Sequence, residues 1–357
     1  MKYIVTSLFI TFTFFNATAQ VEIYPTSHDT SLRVVTVIGV GDMMLGTNYP
    51  SEKHLPPNDG KNLLDSVREI LLDADITFGN LEGTLAGDKG KVKKCSNPKV
   101  CYAFRSPVHY AKYYKEAGFD LLSIANNHSG DFGAEGREIT MTTLEEYGIQ
   151  YAGLLSCPTT VIEKDGIKYG LAAFAPNSGT VSIKDIEGAK AIVASLDSLC
   201  DILIVSFHGG GEGRDRQHVT RDTEMFIGEN RGNVYEFSHA VIDAGADIVF
   251  GHGPHVTRAM ELYDNRLICY SLGNFATYDR FSLTAESGVA PIVKVTTDTK
   301  GNFIGAKITP IKQMGEGIPV VDIEKQWALK LLQELTKADF PETPLLIGDD
   351  GEVVKKQ

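Results

Sequence analysis

The chain alternates short apolar runs with amphipathic stretches, and most of the runs stop abruptly in polar residues. Residues 33–40 read R-V-V-T-V-I-G-V and end at Gly41-Asp42. A continuous, β-branched run of this length predicts a strand buried on both faces. Residues 61–72 instead place Leu63, Leu64, Val67, Ile70 and Leu71 at helical spacing, predicting a helix. A joint then recurs: helix, a turn with Ala or Gly, an Asp, an apolar run, a polar tip. Its tips are Asn80-Leu-Glu82, Asn127-His128 and His252-Gly-Pro-His255. Before the second, Ser106 and Pro107 read as the N-cap and first position of a helix. Gly118 and Gly245 fall where a helix end needs left-handed backbone. The copies are unevenly spaced, which marks a repeated α-to-β joint and not a solenoid.

Further strands are predicted at 169–175, 202–207 and 267–271, and helices at 134–147 and 234–244. After Gly288 the texture changes to alternating Val, Ile and Thr at 292–297 and 303–311, which predicts antiparallel strands. A helix over 323–337 follows, and the charged tail 349–357 is expected to fray. Strands alternating with helices place the chain in the α/β class.

Composition changes this picture at the N-terminus. Lys2, the apolar run 4–15 and Ala17-Thr-Ala19 before Gln20 form a signal-peptide pattern over residues 1–19. The apolar core is too short to read as a membrane span. An exported protein of the periplasm, cell envelope or exterior is expected, with no stable membrane span after cleavage. The formal net charge of -12 argues against nucleic acid as a partner, because that needs a basic footprint. The lysine run from Lys89 to Lys99 reads as ordinary surface charge. Export permits disulfides, and Cys95 with Cys101 is the expected pair among the five cysteines. Cys200 and Cys269 lie in apolar runs and read as buried thiols.

The chemistry collects at the strand tips: Asp42, Asn80, Glu82, Asn127, His128, His208, His252 and His255. Any one of them alone would read as a turn or capping residue. Together, at successive strand ends, they read as one site. Carboxylate, carboxamide and imidazole donors without thiolate suit Mn, Fe or Zn, and a set spread over several strand ends can hold two divalent ions about 3.5 to 4 Å apart. Arg105, Arg214 and Arg216 are candidates for binding an anionic substrate, since a guanidinium meets carboxylate or phosphate by parallel hydrogen bonds. Gly209 to Gly211 is a weak phosphate-loop signal, because no helix is evident after it.

The ordered motifs G-D-M-M-L-G (41–46), N-L-E-G (80–83), N-N-H-S-G-D-F-G (126–133), H-G-G-G-E (208–212), G-H-G-P-H (251–255) and S-L-G-N-F (271–275) resemble the CapA-type poly-gamma-glutamate capsule biosynthesis family. That family is similar in fold to the calcineurin-like metallophosphatases. The resemblance implies a four-layer α-β-β-α sandwich with a C-terminal antiparallel strand pair and helix. Residues 33–290 would form the catalytic domain, 291–340 would complete it, and 341–357 would be a tail. Asp42, Asn127, His208, His252 and His255 would be metal ligands, with Glu82 or Asn80 in place of the superfamily's bridging carboxylate. His128 would be the acid that protonates the leaving group, and Asp131 would orient it. Met44 stands where the wider superfamily has a metal-binding His.

The activity so implied is metal-dependent hydrolysis, by activated water, of an anionic polymer, amide or phosphoester, alongside capsule synthase components. A non-catalytic polyglutamate-binding envelope component and a general periplasmic phosphodiesterase are the alternatives.

Overall fold

The computed structural model describes residues 33–94 and 101–356. The expected signal peptide and Cys95 lie outside them. Cys101 is disulfide-bonded, whereas Cys157, Cys200 and Cys269 are free thiols.

Two sheets lie face to face. The larger is built around Val34–Met44, which runs parallel to Ile76–Leu81, Leu121–Ser123 and Gln150–Ala152 on one side. On its other side it pairs antiparallel with Val289–Asp298, which pairs in turn with Phe303–Met314. The six-stranded sheet has Ile167–Phe174, Ile202–His208, Ile248–His252 and Arg266–Cys269 parallel, with antiparallel edges at Thr159–Lys164 and Met260–Tyr263. The parallel strands are buried on both faces, which is why they read as unbroken apolar runs.

Between the sheets, Phe78 and Phe250 stack with centroids 5.5 Å apart. Gly39 lies beside them, and a Cβ there would meet the Phe250 ring at 2.4 Å. Outside the larger sheet, Leu71, Tyr114 and Leu144 cover Ile38 and Val40. Outside the smaller, Val193, Phe237 and Val241 cover Leu203 and Val205. The order is helix, sheet, sheet, helix, as the family resemblance implies. The helices Gly133–Glu146, Val234–Asp243 and Trp327–Asp339 lie within a few residues of their expected bounds.

Three segments differ from expectation. Residues 61–67 wind as successive turns, and only Arg68–Leu71 is α-helical. Pro56 and Pro57, with left-handed Asn58 and Asp59, start the segment in a tighter winding. Bonds such as Val67 N–H to the Leu64 carbonyl sustain it. Spacings of three and then four keep Leu64, Val67 and Leu71 inward all the same. Ser106 is not an N-cap, because its hydroxyl donates to the Gly46 carbonyl. The helical stretch begins one residue later, as a 3-10 turn over Val108–Tyr110 that runs into Ala111–Glu116. The C-terminal tail, expected to fray, instead forms Leu345–Ile347 and Glu352–Lys355 and joins the larger sheet. Val353 is fully buried among the inter-sheet residues, so the charges of Glu352 and Lys355 on either side had masked a short strand.

Candidate metal centre

The polar tips meet because the strands that carry them are neighbours in register. Asp42 pairs with Asn80 on one side and Asn274 on the other. His208 pairs with His252 in the second sheet. Gly41 brings the first tip against Gly273, where a Cβ would lie 2.0 Å from the Gly273 carbonyl oxygen and where Asp42 N–H donates to that oxygen.

Asp42, Asn80 and Glu82 are wholly buried. Asn80 Nδ2 donates to Asp42 Oδ1 at 2.7 Å and lies 3.3 Å from His208 Nδ1. His255 sits between two carboxylates, with Nδ1 3.1 Å from Asp42 Oδ2 and Nε2 3.6 Å from Glu82 Oε1. Its backbone is left-handed at φ 58°, a strained conformation of the kind that clusters at functional sites. Glu82, His208 and His255 each offer a donor atom within 4.8 Å of the others.

Several buried donor atoms at this place have no hydrogen-bond partner: both Glu82 oxygens, Asn127 Oδ1 and His208 Nε2. Leaving a buried polar atom unpaired is costly, so such a concentration needs a counterpart. A divalent cation fits, since all four are lone-pair donors. The charges point the same way. Burial pushes Glu82 well above the ordinary carboxylate range, reinforced by Asp42, Glu212 and Asp131 against the opposing His255. Burial would raise Asp42 too, but His255, His252 and His208 bring it down to about 2. Burial lowers His208 well below the usual imidazole range, leaving it neutral and able to donate a lone pair.

His128 Nε2 faces Glu82 Oε1 at 3.8 Å. On its other side Nδ1 lies 2.7 Å from Asp131 Oδ2, which also accepts the Phe104 N–H, while Asp131 Oδ1 pairs with Lys93 at 2.6 Å. The arrangement fixes the ring with one nitrogen toward the carboxylate cluster. Like His208, His252 is buried, which lowers its pKa. Its Nε2 lies 3.0 Å from the Val40 carbonyl and its Nδ1 3.4 Å from Ser206 Oγ, so both ring nitrogens face protein partners.

The cluster opens into a cavity of about 320 Å³. Asn127, His128, His255 and Asn274 form its floor, and Tyr102, Phe104, Phe281 and Arg280 form part of its wall. None of Arg105, Arg214 and Arg216 lines it, and Arg216 instead lies 3.7 Å from Asp215. Arg105 donates to Asn48 Oδ1 and the Lys89 carbonyl and covers the Phe132 ring, and Arg214 pairs with Glu286 at 2.6 Å. The Gly209–Gly211 amides are likewise committed, donating to the His252 carbonyl, the Arg231 carbonyl and Glu224 Oε2. They form no anion cradle.

Residue-by-residue reading missed three contributors. Asn126 donates to Asn80 Oδ1 and the Leu81 carbonyl and accepts the His128 N–H. Asn274 lies 3.0 Å from His255 Nδ1 through Oδ1 and donates to the Ser287 carbonyl. Both are strand-end amides within the motifs, which was the available signal. Arg280 sits in an irregular loop that no periodicity marks.

The family model for the bacterial capsule synthesis protein PGA_cap matches residues 36–279. The chain belongs to this family. Among curated PGA_cap-like relatives, the capsule biosynthesis protein CapA of Bacillus anthracis is 27% identical over 71% of this chain, which spans 62% of that protein's length. The PGA biosynthesis protein CapA of Bacillus subtilis is 26% identical over 85% of this chain and 78% of its own. Of solved structures, the NAD nucleotidase of Haemophilus influenzae is 12% identical with a TM-score of 0.41, covering 85% of this chain and 63% of that one. The layer order of the PGA_cap chain described here rests on its own strand pairing.

Proposed function

We propose that this PGA_cap chain is a metal-dependent hydrolase of capsule biosynthesis that acts in the cell envelope on an anionic polymer such as poly-gamma-glutamate. The observation that carries this reading is the buried Glu82 carboxylate, without a hydrogen bond at either oxygen and grouped with His208 and His255. Asp42, Glu82, Asn127, His208 and His255 would hold one or two divalent ions, with Asn80 positioning Asp42. Bound there, such ions would make hydroxide available near neutral pH and neutralise charge developing on the reacting carbonyl or phosphorus. The chain's own part is positional and protonic. His128, held by Asp131, presents Nε2 toward the cluster and delivers a proton to the leaving nitrogen or oxygen. Phe104, 4.2 Å from the His128 ring between centroids, shields that proton from bulk water.

Residues 33–290 with 291–340 would act as one unit, and residues 1–19 would direct export. No helix among the described residues is long and apolar enough to cross a membrane. The test is metal analysis of the purified protein together with cleavage of a gamma-glutamyl oligomer and of an aryl phosphodiester. Bound Mn, Fe or Zn that falls on Glu82→Gln, and cleavage that falls on His128→Ala, are expected. A metal-free protein with unchanged activity after His128→Ala would sink the proposal.

A binding role without catalysis has one observation in its favour. Met44, at the position of a superfamily histidine ligand, is buried, and its Sδ accepts the Gly46 N–H at 3.2 Å. One ligand site is thereby replaced by a thioether engaged elsewhere. Retained capsule assembly in cells after combined replacement of Asp42 and His208 would favour this reading.

A further inference from the structure

The cavity beside the carboxylate cluster carries one guanidinium that forms no ion pair among the described residues. Lys93 is paired with Asp131, Arg214 with Glu286, and Arg231 with Glu212 and Glu229. Arg280 lines the cavity and has no carboxylate within ion-pair reach among the described residues. Its side-chain contacts are the Tyr102 ring, 5.0 Å from Cζ to centroid, and His54 Nε2 at 3.4 Å from Nη1.

The backbone holds this guanidinium in place at a cost. Asp279 and Arg280 are consecutive non-glycine residues with left-handed φ, at 54° and 63°. Conformations of this kind are strained and persist where surrounding contacts enforce them. Here the contacts are specific. Asp279 Oδ2 lies 2.5 Å from His54 Nδ1, Asp279 N–H donates to the Glu316 carbonyl, and Asp279 Oδ1 accepts the Arg280 N–H. Phe281, next in the chain, stacks on Phe104 with centroids 5.0 Å apart, forming the wall between Arg280 and His128.

We propose that Arg280 is the specificity-determining residue of this site and binds a carboxylate that the substrate carries away from its scissile bond. The assignment rests on the hydrolase reading above for the location of that bond. A single planar guanidinium matches one carboxylate through two parallel hydrogen bonds. A dianionic phosphate would call for more than one free cation, and Arg280 is the one guanidinium among the described residues that line the cavity.

The test uses the full exported chain loaded with Mn. Binding and cleavage of a gamma-linked glutamate oligomer are compared with those of the same oligomer amidated at its side carboxylates, in wild type and Arg280→Gln. Wild type is expected to prefer the carboxylate form at least tenfold in Kd or KM, and Arg280→Gln to erase that preference while metal content stays within about twofold. Arg280→Lys should restore part of the preference. Preference undiminished in Arg280→Gln, absence of binding to either oligomer, or tighter binding of a phosphomonoester than of the carboxylate oligomer would each overturn the assignment. Carboxylate binding that depends on Arg280 but proceeds without cleavage would leave it standing and refute the hydrolase reading instead.

Discussion

His255 Nδ1 lies 3.1 Å from Asp42 Oδ2, and the opposite nitrogen of the same ring lies 3.6 Å from Glu82 Oε1. One imidazole thus bridges two fully buried carboxylates. In the metal-free protein that ring takes the place of a cation.

The consequence is a pH-dependent stability with a defined sign. Burial alone would lower the His255 pKa, but Glu82 and Asp42 bring it up to about 10. The folded chain therefore keeps a proton that the unfolded chain, with an ordinary imidazole near about 6.5, gives up. This contribution is fully present below about pH 6.5 and is lost as pH rises toward about 10. With a chelator present, the unfolding midpoint of wild type is expected to exceed that of His255→Gln most below pH 6.5, and the gap to narrow across that window. A gap that is flat or widens with pH would contradict the bridging charge. Asp42, lowered to about 2, acts in the mirror sense, and its contribution is lost as pH falls from about 4 toward 2.

In the proposed reaction Asp131 would act through His128, not on substrate. It accepts from His128 Nδ1 and Phe104 N–H and is paired with Lys93. Asp131→Asn is expected to reduce kcat by about a hundredfold or more with KM and bound metal little changed, the scale of a lost proton-transfer group. If the two residues form one unit, adding His128→Ala should cost little further. Additive losses in the double variant would separate them.

The larger sheet, its C-terminal partners and the convergence of strand tips were legible because burial on both faces imposes unbroken apolar runs, and parallel strands deliver their ends to one edge. The polar tips of those runs meet in space around Asp42, Glu82, His208 and His255. The cavity's arginine, by contrast, lies in a loop. Arg280 faces the cavity, whereas Arg105 and Arg214 are engaged elsewhere, because loop direction depends on distant anchors such as the Asp279 contact with His54. Sequence spacing carries no trace of an anchor 225 residues away.

A second buried charge pair supports the segment that follows His208. Arg258 is wholly buried, donating from Nη1 and Nη2 to Glu224 at 2.7 and 2.8 Å and from Nε to the Arg216 carbonyl. Glu224 Oε2 also accepts the Gly211 N–H. Glu224→Ala strands a buried guanidinium and is expected to lower unfolding free energy by about 3–5 kcal/mol in urea titration. The double replacement Arg258→Met with Glu224→Leu should recover much of that loss, since a packed apolar pair avoids the unpaired charge.

The last strand offers a test of whether the C-terminal tail belongs to the fold. Glu352–Lys355 pairs with Phe303–Met314, placing Ala306 opposite Val353, and Val353 is fully buried among residues of both sheets. Its neighbours Glu352 and Val354 face outward. The two faces of this strand should therefore respond differently to the same chemical change. Val353→Ala is expected to destabilise by about 2 kcal/mol, from lost burial and a residual cavity. Val354→Ala, at an exposed position, should stay within about 0.5 kcal/mol. Equal small effects at both positions, read by urea unfolding, would mean that the tail frays in solution and that the larger sheet ends at Phe303–Met314.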